Sequence, residues 1–214
     1  MSLWIVKRIL AAVFAGMFLF SSMAMAAEKL GHLEAEDFSC RGVYPGDSEE
    51  KMLAVFGKPS YEKEVGVYGI AVVYYSFEKD VEVGVSVRTK KVVDIRIEDR
   101  NYRAREDVRY GATPYKIRAT YGSGERKKLD DVMYYVYAHP EKAHEHLLLA
   151  TDSEDGHLTS FRITCLPLTE EEADAIAVED DVSNDLWVLL AGEKEIDTSA
   201  MPKREPVKIR DLEK

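Results

Sequence analysis

Residues 42–58, GVYPGDSEEKMLAVFGK, and residues 107–123, DVRYGATPYKIRATYGS, carry the same pattern twice, and a chain that does so is expected to fold into two like pieces. Gly46 and Gly111, Ser48 and Thr113, Met52 and Ile117, Phe56 and Tyr121, and Gly57 and Gly122 all stand 65 residues apart. Each unit reads as a short helix. Ser48 or Thr113 caps the free N–H groups of the first turn, and Pro114 occupies the first helical position, where its missing donor is harmless. Met52, Val55 and Phe56, matched by Ile117 and Tyr121, form a one-sided apolar stripe, which Thr120 weakens in the second copy. Gly57 and Gly122 stop the helices, with Pro59 blocking continuation of the first.

Strand patterns follow each helix. IAVVYYSF (70–77), VEVGVSVR (81–88) and VVDIRIE (92–98) follow the first, with Val81, Val83, Val85 and Val87 on one face and Val93, Ile95 and Ile97 inward. DVMYYVYA (131–138), EHLLLATD (145–152) and HLTSFRITCL (157–166) follow the second, with Phe161, Ile163 and Cys165 sharing a face. The fold class expected is α+β. Two tandem repeats, each a short helix plus a three-stranded antiparallel meander, form one sheet with the helices on one face, and a helical C-terminal extension follows. The boundaries read as repeat 1 over 27–104, repeat 2 over 105–167, an acidic helical extension over 168–196 and a tail over 197–214. Thr169 and Glu172 stand at capping-box spacing at the start of the extension.

The first 26 residues read as a signal peptide. Lys7 and Arg8 precede a 12-residue apolar run, Ile9 to Phe20, and Ala24-Met25-Ala26 supplies small residues for cleavage. The run is shorter than the ~20 residues a spanning helix needs, so an exported protein, periplasmic or extracellular and without stable membrane insertion after cleavage, is expected. Loss of Lys7 and Arg8 takes the net charge from −10 to −12, and residues 168–214 hold 14 acids against 6 bases. That balance argues against nucleic acid as a partner, since phosphate binders cluster Lys and Arg. GERKK (124–128) reads as a solvated loop.

A glycine, a capped short helix ending in aromatic-Gly, and a meander, as in GDSEEKMLAVFGKP and GATPYKIRATYGSG, resemble the repeat of beta-lactamase-inhibitor-protein-like (BLIP-like) domains. They are also similar to the repeat of small outer-membrane assembly lipoproteins of the SmpA/OmlA type. The resemblance covers about residues 40–167. It implies a curved sheet that presents a concave face to a partner protein. The inhibitor type carries a disulfide in each repeat and the lipoprotein type a lipid-bearing cysteine. This chain has only Cys40 and Cys165, so neither enzyme inhibition nor outer-membrane assembly carries over.

In an exported chain an even cysteine count favours a bond between Cys40 and Cys165, against the alternative of two buried free thiols. Adjacent tyrosines on a strand face opposite sides of a sheet, so one of Tyr74 and Tyr75, and one of Tyr134 and Tyr135, is expected on the open face. With Tyr137, these residues are the protein-binding candidates, because tyrosine combines a large contact area with a polar tip. The alternative is that tyrosine is simply a good strand residue. No nucleophile–base pair stands out, so no catalytic residue, cofactor or enzymatic activity is expected. The expected function is a noncatalytic protein-binding module whose partner is another exported or envelope protein. The alternative is a small-ligand or metal-binding protein using His144 and His146, which lie near His139 and two apart on a strand.

Overall fold

The computed structural model describes residues 31–142 and 144–178. The expected signal peptide, the extension beyond residue 178 and the tail lie outside these residues. Helix α1 spans Glu49–Phe56 and helix α2 spans Pro114–Tyr121. Ser48 Oγ accepts from the Lys51 N–H and Thr113 Oγ1 from the Lys116 N–H, each at 3.3 Å, so both expected caps form. Gly57 leaves α1 at φ 83°, ψ −153°, and Gly122 leaves α2 at φ 86°, ψ −160°. That region is closed to residues with a Cβ, a stronger demand for glycine than a left-handed cap makes.

Each helix is followed by four antiparallel strands rather than three. After α1 come β1 (Tyr61–Val67), β2 (Ile70–Phe77), β3 (Val81–Ser86) and β4 (Val92–Ile97). After α2 come β5 (Glu125–Leu129), β6 (Val132–Ala138), β7 (His146–Thr151) and β8 (Leu158–Thr164). They form one eight-stranded sheet in the order β1-β2-β3-β4-β8-β7-β6-β5. The two additional strands are the outer ones. GERKK is therefore not a loop: Glu125 to Leu129 are edge strand β5. Both edges have largely exposed side chains and carry charge, with little apolar alternation to read, and charge on an edge discourages pairing with other chains.

The seam between the two groups of strands is β4 against β8, where Ile95 faces Ile163, Arg96 faces Arg162 and Ile97 faces Phe161. On the helix side, Met52 of α1 and Ile117 and Tyr121 of α2 join Tyr75, Phe77, Val81, Val83, Val85, Ile95, Ile97, Leu147, Leu149, Phe161 and Ile163 in the main core. Each large apolar side chain shut away there contributes about 1.5–3 kcal/mol. On α1, Leu53 and Phe56 pack against this core while Val55 is exposed. Thr120 does not weaken α2, because it is fully buried and its hydroxyl donates to Glu106 at 3.0 Å.

A bulge shifts the expected alternation of β4. Gly84 pairs with Asp94 and Val85 with Val92, so Val93 is the extra residue. Val92 takes the inward place in the main core, and Val93 joins Ile70, Val72, Tyr74, Cys165 and Leu166 in a second cluster. A third cluster combines Val136 and Leu148 with Leu168. The chain leaving β8 therefore crosses the sheet face that the sequence leaves open. Helix α3, Glu170–Val178, follows; Thr169 Oγ1 accepts from Glu172 N–H at 3.2 Å, and Glu172 reaches past Thr169 to the Leu168 N–H at 2.9 Å.

This arrangement overturns the expected disulfide. Cys40 and Cys165 are both buried free thiols, Cys40 in the helix-side core and Cys165 in the second cluster. Cys165 does not share the core of Phe161 and Ile163, because the chain leaves β8 after Thr164 and turns with Leu166 onto the other side. Burial pushes the Cys40 thiol up to about 11, with Arg41 opposing, and raises Cys165 further. Alkylation of the native protein is expected to leave both cysteines intact, and unfolding without reductant to expose two reactive thiols by mass spectrometry; an unfolded protein with no reactive thiol would establish the bond.

Candidate functional site

The centre of the sheet, on the face away from α1 and α2, holds a buried ionic cluster. Asp94 of β4 is completely buried. Its Oδ2 accepts from Tyr74 Oη at 2.9 Å and from Arg96 Nε at 3.0 Å, and its Oδ1 accepts from Arg162 Nε at 2.8 Å. Arg96 Nη2 also donates to Tyr74 Oη at 2.9 Å, and the guanidinium lies 4.5 Å from the centre of the Tyr74 ring. One carboxylate thus joins β2, β4 and β8 across the seam. Burial by itself raises the Asp94 pKa, but Arg162 and then Arg96 outweigh it and hold the carboxyl below its usual range. Arg162 is shifted up, because Asp94 more than offsets the burial that disfavours its charge.

Outward from this cluster runs one row of the sheet. Register places Tyr61 opposite Ser76, Ser76 opposite Glu82, Glu82 opposite Arg96, and Arg96 opposite Arg162. Glu82 accepts from Ser76 at 3.0 Å and from Lys63 at 3.3 Å. Tyr61 is 62% exposed, which makes it the most open aromatic group of the row.

The sequence-derived tyrosines sit elsewhere than expected. Tyr74 is on the face away from the helices but buried, its hydroxyl neutral and spent on Asp94. Tyr75 lies in the main core and donates to Glu49 of α1. Tyr137 is buried in the same core and donates to the Gly122 carbonyl at 3.3 Å. Tyr135 packs against that core, with Arg126 over its ring at 5.8 Å. Only Tyr134 both faces away from the helices and remains half-exposed, beside Leu129, Val136 and Leu148. Alternation assigns faces, but not whether a later segment will cover them. The exposed tyrosines are Tyr61, Tyr68, Tyr110 and Tyr115, which sit at edges, turns and a helix surface.

The histidines do not converge on a metal. Among the described residues no group of three His, Cys, Asp or Glu side chains is placed to hold an ion. His139 Nδ1 instead accepts from the Glu141 and Lys142 N–H groups, and its ring packs 4.5 Å from Phe38. Burial lowers the His146 pKa, opposed by Glu172 and assisted by Lys127 and His144.

A second polar link lies on the helix side. Arg105 donates to Asp37 through Nε at 3.0 Å and Nη2 at 2.9 Å, to Glu34 at 3.2 Å and to the Thr120 carbonyl at 3.0 Å. It ties the segment before the sheet to the end of α2. Beside it, Tyr102, Tyr121, Ile97, Phe161 and Ile163 help line a cavity of about 430 Å³.

No protein-family model matches the chain, and no curated protein matches it by sequence. Solved structures show a distant likeness of fold. A DUF4309-family protein from Bacillus subtilis is 16% identical over 63% of this chain and 87% of its own, with a TM-score of 0.40. An extracellular protein containing an SCP domain from Bacillus anthracis is 16% identical over 62% of this chain and 47% of its own, with a TM-score of 0.41. A candidate beta-lactamase inhibitor protein from Streptococcus mutans is 15% identical over 63% of this chain and 91% of its own, with a TM-score of 0.25.

Two outcomes are expected of the ionic cluster. Asp94→Asn leaves Arg96 and Arg162 without a counter-charge and costs about 3–5 kcal/mol in urea unfolding. Because the Asp94 pKa lies below its ordinary 3.8 in the folded state, its contribution is complete above that pH and fades as pH falls through the folded-state value. The acid limb of the stability profile is therefore shallower in the variant. At Gly84, an added Cβ would stand 2.9 Å from the Tyr74 ring, 3.0 Å from Val72 and 3.2 Å from Asp94 Cβ. Gly84→Ala is expected to destabilise by about 1–3 kcal/mol, and an unchanged urea midpoint would contradict this packing.

Proposed function

We propose that this chain is an exported, noncatalytic protein-binding module built from two helix-plus-strand repeats, which engages another extracytoplasmic protein through the sheet face away from α1 and α2. The observation that carries the reading is the row Tyr61, Ser76, Glu82, Arg96, Arg162. It sets an exposed aromatic edge beside half-exposed arginines on a rigid, eight-stranded support. Aromatic and arginine side chains are the groups that most often carry interface energy. The most deeply buried ionisable group, Asp94, is committed to two arginines and a tyrosine, an arrangement that braces a surface rather than performs proton transfer.

Tyr61→Ala with Lys63→Ala changes an edge strand with exposed surroundings, and the fold is expected to persist. Immobilised wild-type protein is expected to retain one dominant polypeptide from the extracytoplasmic fraction of the source cells, and the folded double variant to lose it. Equal retention by both proteins, or none by the wild type, would refute binding through this row.

A further inference from the structure

Arg162 is shared unevenly between the fold and the surface. Its Nε is bound to Asp94, while its two terminal amino groups make no hydrogen bond among the described residues, and its side chain is 20% exposed. A guanidinium offers five donors in a planar fork, so the part aimed away from Asp94 is unspent. The charge around it is also unbalanced. Lys63, Arg96 and Arg162 surround the two acids Asp94 and Glu82, leaving one positive charge in excess. A guanidinium drawn this far from water gains most from a second anion that meets its fork side-on.

Tyr134 supplies the second group. It lies on the same face, two strands away on β6, and Arg162 is the nearest strong charge acting on its hydroxyl after the effect of burial. That hydroxyl makes no hydrogen bond among the described residues and stays protonated, so it is a donor. The site is a place on a broad sheet rather than a pocket, and the cavity of about 430 Å³ includes neither residue in its lining. From Arg162 the row runs over four strand spacings to exposed Tyr61, roughly 19 Å. A free small carboxylate does not bridge that distance, whereas about six residues of extended polypeptide do.

We propose that Arg162 and Tyr134 form a receptor for one carboxylate, an Asp or Glu side chain of the partner polypeptide lying across the sheet. This deepens the binding reading above and rests on it. The excess positive charge selects an acid, and the planar fork selects carboxylate geometry over a point anion.

The test titrates isotope-labelled mature protein with acetyl-Gly-Gly-Glu-Gly-Gly-amide while the Arg162 Nε–H resonance is followed by NMR. Its Gln counterpart, acetate and inorganic phosphate serve as the other arms. The Glu peptide is expected to give a saturable shift and the Gln peptide none, with acetate and phosphate weaker than the Glu peptide. Tyr134→Phe removes only the unspent hydroxyl and is expected to weaken the Glu peptide about fivefold. Arg162→Lys keeps the charge but loses the fork; its urea midpoint is measured alongside, and Tyr134→Phe decides the matter if the Lys variant fails to fold. No saturable shift, an equal response to the Gln peptide, a stronger response to acetate or phosphate, or an unchanged affinity in Tyr134→Phe would overturn the carboxylate receptor. A partner captured through Tyr61 but held equally well by Tyr134→Phe would sink this inference alone and leave the binding module standing.

Discussion

The fold turns on one buried carboxylate. Asp94 sits where the two groups of four strands meet and holds Arg96 from its own strand, Arg162 from the facing strand and Tyr74 from two strands away. Taking such a charge from water is costly, and two guanidiniums with a phenol are what make it tolerable. The geometry also defends register. A one-residue slip of β8 would turn Arg162 toward Ile95, Ile97 and Leu147, and send Ile163 to the polar side. Gly84 belongs to the same device, since its missing side chain is the space in which Tyr74 reaches Asp94.

The same cluster links packing to function. Having secured the seam, Arg96 and Arg162 still reach the surface, so a group that fixes strand pairing also sets the charge of the outer face. Surface chemistry built on regular strands and braced by a buried ion pair is held more rigidly than surface chemistry on loops. The other face is closed by the helices and by Arg105, which stitches residues 34 and 37 to the end of α2.

Much of this architecture was legible from the residues. Ser48, Thr113, Pro114, Gly57 and Gly122 mark both helices because caps and stops act locally. The six inner strands announce themselves by β-branched and aromatic runs. Strands β1 and β5 did not, because an edge strand exposed on both faces carries little alternation. The ionic cluster was half visible: Arg96 and Arg162 stand out as corresponding positions, but Asp94 looks like an ordinary outward acid until β8 lies beside β4.

What the sequence by itself determined were the features that depend on near neighbours along the chain: the capped helices, their glycine stops and the alternation of the central strands. Only the tertiary structure decided which side chains are available. Tyr74 and Tyr75 are adjacent and similar in sequence, yet one is locked to Asp94 and the other to Glu49. Cys40 and Cys165 count as a pair but pack into separate clusters. Exposure and pairing depend on what long-range contacts bring overhead. For Tyr134, Tyr137 and Cys165 that was set by the β4–β8 seam and by the path of the chain from Cys165 to Leu168, neither of which has a local signature.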